Sequence, residues 1–422
     1  MTGPAGYWPS PWPGEDNGPT RRATTAGASI DPKYSGLSTH HREAVATTMV
    51  VLREPGEVFA LRHTAGPDAV GWVERVDPTT LETLARSDDL DAGPVWPGGL
   101  AAHVNGDLYT VFGNHAHRLS AATLDVVAKA RLPRVKPYNS FVILPDGHLV
   151  TKDFGGVLPG HDPAAHLYEA TEVLVLEPNS LTIVARCVVP EASIARLSAD
   201  GDDVYLVGVE SLWSLRWDGV TLTVDDSFTA RYRTIEGQTY GWDPVIALGA
   251  AWFLDNGFGS ERYAGTFRGQ GVNVAPLHLV RVDLATSAVS LTEICGLAGG
   301  VVANPPIVDE ARRIAVGYDS GNGVIAAFDI AADGSLSLRW RRDQNHACHP
   351  LLFADSGDLV TTDHDRDRFA DDIVVLDIET GAERARVASG SPVQSVLFPA
   401  VGFDRDFYYC SFAAIARVFT PR

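Results

Sequence analysis

Two histidines three residues apart, His346 and His349, flank a cysteine in "NHACHP". An Asp363-His364-Asp365 triplet follows after one strand-turn-strand segment. Imidazoles and carboxylates in this mix make general acid-base pairs, or ligand sets for Zn²⁺, Fe²⁺ or Mn²⁺. On a strand, residues three apart face opposite sides, so His346 and His349 can meet one ion only in an irregular segment leading into a strand. There Pro350 biases His349 to an extended backbone that projects its ring. The expected metal set is His346, His349, Asp363 and His364, with His349, His364 and Asp363 doubling as acid-base groups. An HxxH on a loop lacks the helical spacing of HExxH, so hydrogen-bonded residues lining a solvated funnel are the competing reading. His40-His41-Arg42-Glu43 is a second cluster. Neighbouring side chains on an extended chain point apart, so either His40 or His41 would serve, not both.

Further polar and aromatic residues offer substrate contacts. "YNSFVILPDGHLVTKDFGG" carries Tyr138 and Asn139 at one end and Lys152 and Asp153 at the other. "GWDP" supplies Trp242 and Asp243, and "FLDNGFGSERY" supplies Asp255, Arg262 and Tyr263 in a glycine-rich loop able to act as a lid. Trp96 is a further wall. No nucleophile elbow, P-loop or dinucleotide fingerprint is present, so NAD is not an expected cofactor.

Positioning these groups falls to a repeat. An alternating strand, an acidic residue, a turn and a second alternating strand recur, as in "GWVERVDPTTLETLARS", "TEVLVLEPNSLTIVARCVV" and "DIVVLDIETGAERARVAS". Between the copies lies a second hairpin turning at Pro55-Gly56, Asn105-Gly106, Asp146-Gly147 and their equivalents. Four antiparallel strands recurring every roughly 40 to 60 residues predict propeller blades. The expected fold is all-β, one β-propeller of eight four-stranded blades, with seven as the alternative. The last unit stops one strand short. A strand from Thr20–Lys33 is therefore expected to close the ring, because an open sheet edge is a liability. Residues 1–19, rich in Trp and Pro, read as an extended arm packed outside a single domain of residues 20–422. In each blade the a–b and c–d turns share one face and are short. The longer loops of the other face hold most of the thirteen histidines, and function concentrates in such loops.

"IVVLDIETGAERARVASG" (Ile373–Gly390) resembles the quinoprotein alcohol dehydrogenase-like group of propellers, where a strand ending in Leu-Asp precedes a Thr-Gly turn. The resemblance spans nearly the whole chain and implies the fold. The quinone-dependent members carry adjacent cysteines and a repeated Trp/Gly motif, whereas Cys187, Cys295, Cys348 and Cys410 lie far apart here. PQQ is therefore not expected.

A net charge of −19 argues against nucleic acid and against an anionic membrane surface. No apolar run is long enough to span a bilayer, and the first residues lack a signal-peptide pattern. A cytoplasmic location is expected, with a homo-oligomer left open. The leading expectation is a small-molecule enzyme of lyase, isomerase, cyclase or hydrolase type, working by acid-base or metal-assisted chemistry at the channel mouth. The alternatives are a non-catalytic protein-interaction propeller and a quinoprotein-like dehydrogenase relative.

Overall fold

The computed structural model describes residues 3–31, 36–64, 69–91, 98–158 and 160–421. Eight antiparallel four-stranded blades form a ring. Blade 1 runs from its inner strand Thr47–Leu52 through Val58–His63 and Gly71–Val76 to the outer strand Thr83–Arg86. Blades 2 to 7 follow in chain order, with inner strands Gly99–Ala102, Tyr138–Ile143, Ser198–Asp200, Val245–Ala247, Ile307–Asp309 and Leu351–Phe353. Blade 8 takes Ala400–Val401, Asp406–Cys410 and Ala414–Phe419 from the C-terminus.

Each blade is built by the same local chemistry. Inner strands are buried, as in Thr47–Leu52, with Asp200 at the end of blade 4's an exposed exception, while outer strands alternate, as in Glu383–Ala388. In five blades an acidic residue at the end of the third strand (Asp77, Glu177, Asp218, Asp283 and Asp377) caps the next turn. Asp77 accepts from the Thr79 and Thr80 amides at 2.8 Å each, and Asp377 accepts from those of Glu379 and Thr380 at 2.8 and 3.0 Å. A carboxylate bonded to its own turn amides is what makes Asp a turn former. The turn then needs one left-handed residue. Gly381 supplies it at φ 69°, and Leu81 (φ 59°) and Leu181 (φ 59°) supply it in other blades. Both leucines are buried in core clusters, and that burial offsets a left-handed penalty of roughly 1–2 kcal/mol.

Ring closure differs from expectation. The strand that completes blade 8 is Ser38–Glu43, paired antiparallel with Ala414–Phe419, His40 opposite Arg417 and His41 opposite Ala416. Of the expected Thr20–Lys33 segment, Thr24–Thr25 pairs parallel with the inner strand of blade 7 instead.

The arm is not on the outside. It runs around the inside of the ring, meeting the inner strands nearly in blade order. The Leu52 amide donates to Trp12 O (2.8 Å), Ala102 to Pro13 O (2.7 Å), Ala199 to Pro19 O (2.7 Å), Ile246 to Thr20 O (2.9 Å) and Leu352 to Ala23 O (2.9 Å). Tyr7 reaches blade 3, its hydroxyl accepting from the Ile143 amide at 3.0 Å, and Arg22 pairs with Glu310 on blade 6 at 2.6 Å. Ile30 O then accepts from Thr420, before the chain emerges as the outer strand of blade 8. Inner strands of a ring have unpaired edges facing the axis, and the arm satisfies a row of them.

Candidate functional site

Where the arm crosses the axis, it carries Glu15, Asp16 and Arg21 into a buried ionic network. Arg196, Asp243 and His349 come from the segments leading into the inner strands of blades 4, 5 and 7. All six are at most 6% exposed. Arg21 donates to Glu15 (2.6 Å), Asp16 (3.2 Å) and Leu197 O (2.5 Å). Arg196 donates to Glu15 at 3.1 Å and to Asn139 O at 2.5 Å, and its backbone amide donates to Asp243 at 2.6 Å. His349 Nδ1 lies 3.0 and 3.1 Å from the Asp16 carboxylate oxygens. Burial pushes the Asp16 carboxyl up, but His349, Arg21 and Arg196 outweigh it and hold the group below the usual carboxylate range. Phe398 forms a wall, its ring centroid 3.8 Å from that of His349 and 4.6 Å from the Arg196 guanidinium carbon.

Among the described residues, Asp16, Asp243 and His349 are the one group whose donor atoms, all within 4.8 Å of one another, could hold a metal ion. The donor types suit Fe²⁺, Mn²⁺ or Zn²⁺. However, Arg21 lies 3.2 Å from Asp16, and Arg196 Nε lies 3.9 Å from Asp243. Two guanidinium groups already neutralise the carboxylates that a cation would need.

The expected metal set does not converge. Of its four residues only His349 reaches the axial network. His346 Nδ1 accepts from the Thr362 amide at 3.0 Å, and its ring packs edge-on against Tyr318 at 4.4 Å. Burial, reinforced by His349, drives its pKa down to about 3. Asp363 accepts from the Asn345 amide (2.9 Å) and pairs with Arg386 on the outer strand of blade 7 at 2.9 Å. His364 Nε2 sits 3.3 Å from Pro392 O. The hairpin brings both ends of the motif to one face, as expected, but aims each side chain at a different neighbour.

His40 and His41 are corrected as well. They lie on the rim strand of blade 8, exposed, with His40 Nε2 2.9 Å from Thr80 O. Their side chains are therefore a whole blade's width from the axis.

The substrate-wall residues divide in the same way. Asn139 donates to Ile194 O at 3.1 Å beside the network, and Asp243 belongs to it. Lys152 is fully buried and donates to Ser193 O at 2.8 Å, with burial lowering its pKa to about 7. Asp153 instead pairs with Arg134 at 2.9 Å and accepts from the Glu172 amide at 2.6 Å, while the Tyr138 hydroxyl donates to the Glu172 carboxylate at 3.4 Å. Asp255 is absorbed by His278 (2.9 Å) and Gln238 (2.8 Å). Trp242 is buried beside Gly257 with its indole N–H unpartnered. Trp96 lies outside the described residues.

The Asn256–Pro276 loop roofs part of the funnel. It spans from blade 5 across to the segment entering blade 8, where buried Gln394 anchors it. Tyr263 donates to Gln394 O at 2.5 Å, the Phe267 amide donates to Gln394 Oε1 at 2.8 Å, and the Gln394 amide donates to Gly265 O at 2.8 Å. Phe267 packs on Val301 and Ala347 from blades 6 and 7, while Arg262 is exposed.

Glu15, Asp16 and Arg21 were missed because an arm with no alternating pattern gives no register. A signal did exist. Trp12 and an acid pair bracketed by Gly14 and Gly18, followed by Arg21-Arg22, are apolar and charge-matched enough to be buried together.

No protein-family model and no curated protein sequence matches the chain. Solved structures match in fold. The quinohemoprotein alcohol dehydrogenase of Comamonas testosteroni superposes with a TM-score of 0.66 at 10% identity, over 97% of this chain and 81% of that one. The quinohemoprotein alcohol dehydrogenase ADHIIG of Pseudomonas putida HK5 gives 0.64 at 9%, over 98% and 80%. BamB from Moraxella catarrhalis gives 0.58 at 12%, over 91% and 99%. The fold-level resemblance to quinoprotein dehydrogenases and other propellers therefore holds. The expectation of lyase, isomerase, cyclase or hydrolase chemistry is corrected. These neighbours are dehydrogenases and another propeller, and the residues expected to perform that chemistry are dispersed. Trp12, Glu15, Asp16 and Arg21 are buried inside the ring, and the four cysteines are separate free thiols.

Proposed function

We propose that the chain is a non-catalytic interaction propeller that binds a protein partner on the face of its long loops. The observation that carries this reading is the distribution of exposed apolar side chains. Among the described residues, Val45 (60%), Val135 (71%), Leu167 (77%), Val274 (73%), Leu297 (53%) and Phe369 (73%) all stand exposed on the loop face. Val104 and Val220 stand exposed on the opposite face, and Leu84, Val126, Val127, Val184, Val188 and Leu338 on the outer strands. Exposed apolar groups that form a contiguous patch mark interaction surfaces, and the loop face carries more of them than the opposite face. An open groove of about 510 Å³, lined by Arg134, Val135, Lys136, Glu169 and Ala170, lies beside Leu167 and adds charged groups to the same face. The axis filled by Trp12, Asp16 and Arg21 supports the reading further, since small-molecule sites are concave clefts or cavities.

The test compares the two faces. A photo-crosslinking residue replacing Leu167 or Val274 is expected to trap one defined protein in the native host, and the same residue at Val220 is expected not to. The purified partner should then bind wild type and lose at least about tenfold in affinity (~1.4 kcal/mol) to Leu167→Asp/Val274→Asp. Equal trapping from both faces, or turnover of a small molecule by the purified chain, would overturn the reading.

A further inference from the structure

The axial network joins two parties. The blades supply Arg196 and His349 side by side against Phe398, with ring contacts of 4.6 and 3.8 Å. The arm supplies two consecutive carboxylates, Glu15 on Arg196 (3.1 Å) and Asp16 on His349 (3.0 Å), together with Arg21, which also binds them at 2.6 and 3.2 Å. A guanidinium and an imidazole backed by an aromatic ring are the donors that a receptor for carboxylates would use.

The arm fills this place under strain. Asp16 (φ 46°), Asn17 (φ 65°), Arg21 (φ 52°) and Ala23 (φ 48°) are all left-handed without being glycine, a conformation that persists only where surrounding contacts impose it. The fit is also incomplete. Glu15 Oε2 serves both Arg21 and Arg196, while Glu15 Oε1 is buried without a partner. A buried, unpaired carboxylate oxygen is unfavourable, so the arm's hold on this place costs stability.

We propose that Arg196 and His349, walled by Phe398, form a receptor for a small dicarboxylic acid, and that the arm occupies it with Glu15 and Asp16 as a tethered ligand. The site's burial restricts any free occupant to a small molecule. This site is separate from the apolar loop face and does not depend on a protein partner.

The experiment uses the full chain carrying Glu15→Ala/Asp16→Ala, which removes both carboxylates and leaves the receptor. Succinate is the probe, acetate the single-carboxylate comparison, and chloride at matched ionic strength the control. Succinate is expected to raise the melting temperature of the double variant by several degrees over chloride and more than acetate does. Its affinity for the double variant should exceed that for wild type at least tenfold. Adding Arg196→Gln should abolish the effect. An equal response in wild type, a response that survives Arg196→Gln, or no gain over chloride would overturn the proposal. If the double variant does not fold, Glu15→Ala alone is titrated with acetate against the same chloride and Arg196→Gln controls. The same outcomes then decide.

Discussion

Asp371 sits buried on the third strand of blade 7, where the Tyr409 hydroxyl donates to it at 2.6 Å and the Ser395 amide at 2.9 Å. Burial pushes its carboxyl up to about 8, against roughly 3.9 in an unfolded chain. Between those values the folded protein holds one proton more than the unfolded one, so stability falls as pH rises through that window. Asp371→Asn removes the titration. The stability of the variant relative to wild type should therefore climb from pH 5 to pH 8, by at most about 1.4 kcal/mol per pH unit. Urea melts across that range would check it, and parallel curves would refute it. The axial network makes a second prediction. Asp16→Asn takes the carboxylate from buried His349 and leaves Arg21 with Glu15 alone, and should destabilise by about 3–5 kcal/mol. Asp363→Asn breaks only the part-exposed pair with Arg386 and should lose about 0–1 kcal/mol; equal losses would mean that Asp363 has a role beyond its surface pair. At this scale the sequence was partly legible. His349 and Asp243 could be placed near the axis because the repeat sets them just ahead of inner strands. Where each ring or carboxylate aims depends on partners far away in sequence, such as Asp16 for His349, and no local spacing encodes that.

The blades were the most legible elements, because period-two alternation and an acid-capped turn are local and repeat. Ring closure was not. Ser38–Glu43, "STHHRE", is polar and half exposed, so it lacks the apolar alternation that marks the other blade strands, and only its pairing with Ala414–Phe419 makes it a strand. That pairing joins the two ends of the chain and can be reinforced. His41→Cys/Ala416→Cys places a disulfide between register partners. The oxidised variant is expected to gain about 2–4 kcal/mol, reversed by reductant. No difference between the oxidised and reduced forms in denaturant melts would show that blade 8 does not limit stability. The lid depends on one residue in the same way. Gln394→Ala removes the acceptor for the Phe267 amide and the two bonds from Gln394 Nε2 to Asn345. Amide exchange across residues 256–276 should then quicken while the inner strands stay protected; unchanged exchange would place the lid's anchorage elsewhere.

For the molecule as a whole, the propeller was readable and its axis was not, because an arm without periodicity decides what the channel contains. An open funnel lined by histidines would favour chemistry on a small molecule. A funnel closed from within by Trp12, Asp16 and Arg21, beneath an apolar rim of loops, favours recognition. The most direct test of that claim is the affinity of the purified, crosslink-identified partner for wild type, for Leu167→Asp/Val274→Asp and for Val104→Asp/Val220→Asp. The account predicts binding that the first pair weakens at least about tenfold and the second leaves unchanged. Equal weakening by both pairs, or no partner trapped from the loop face, would contradict it.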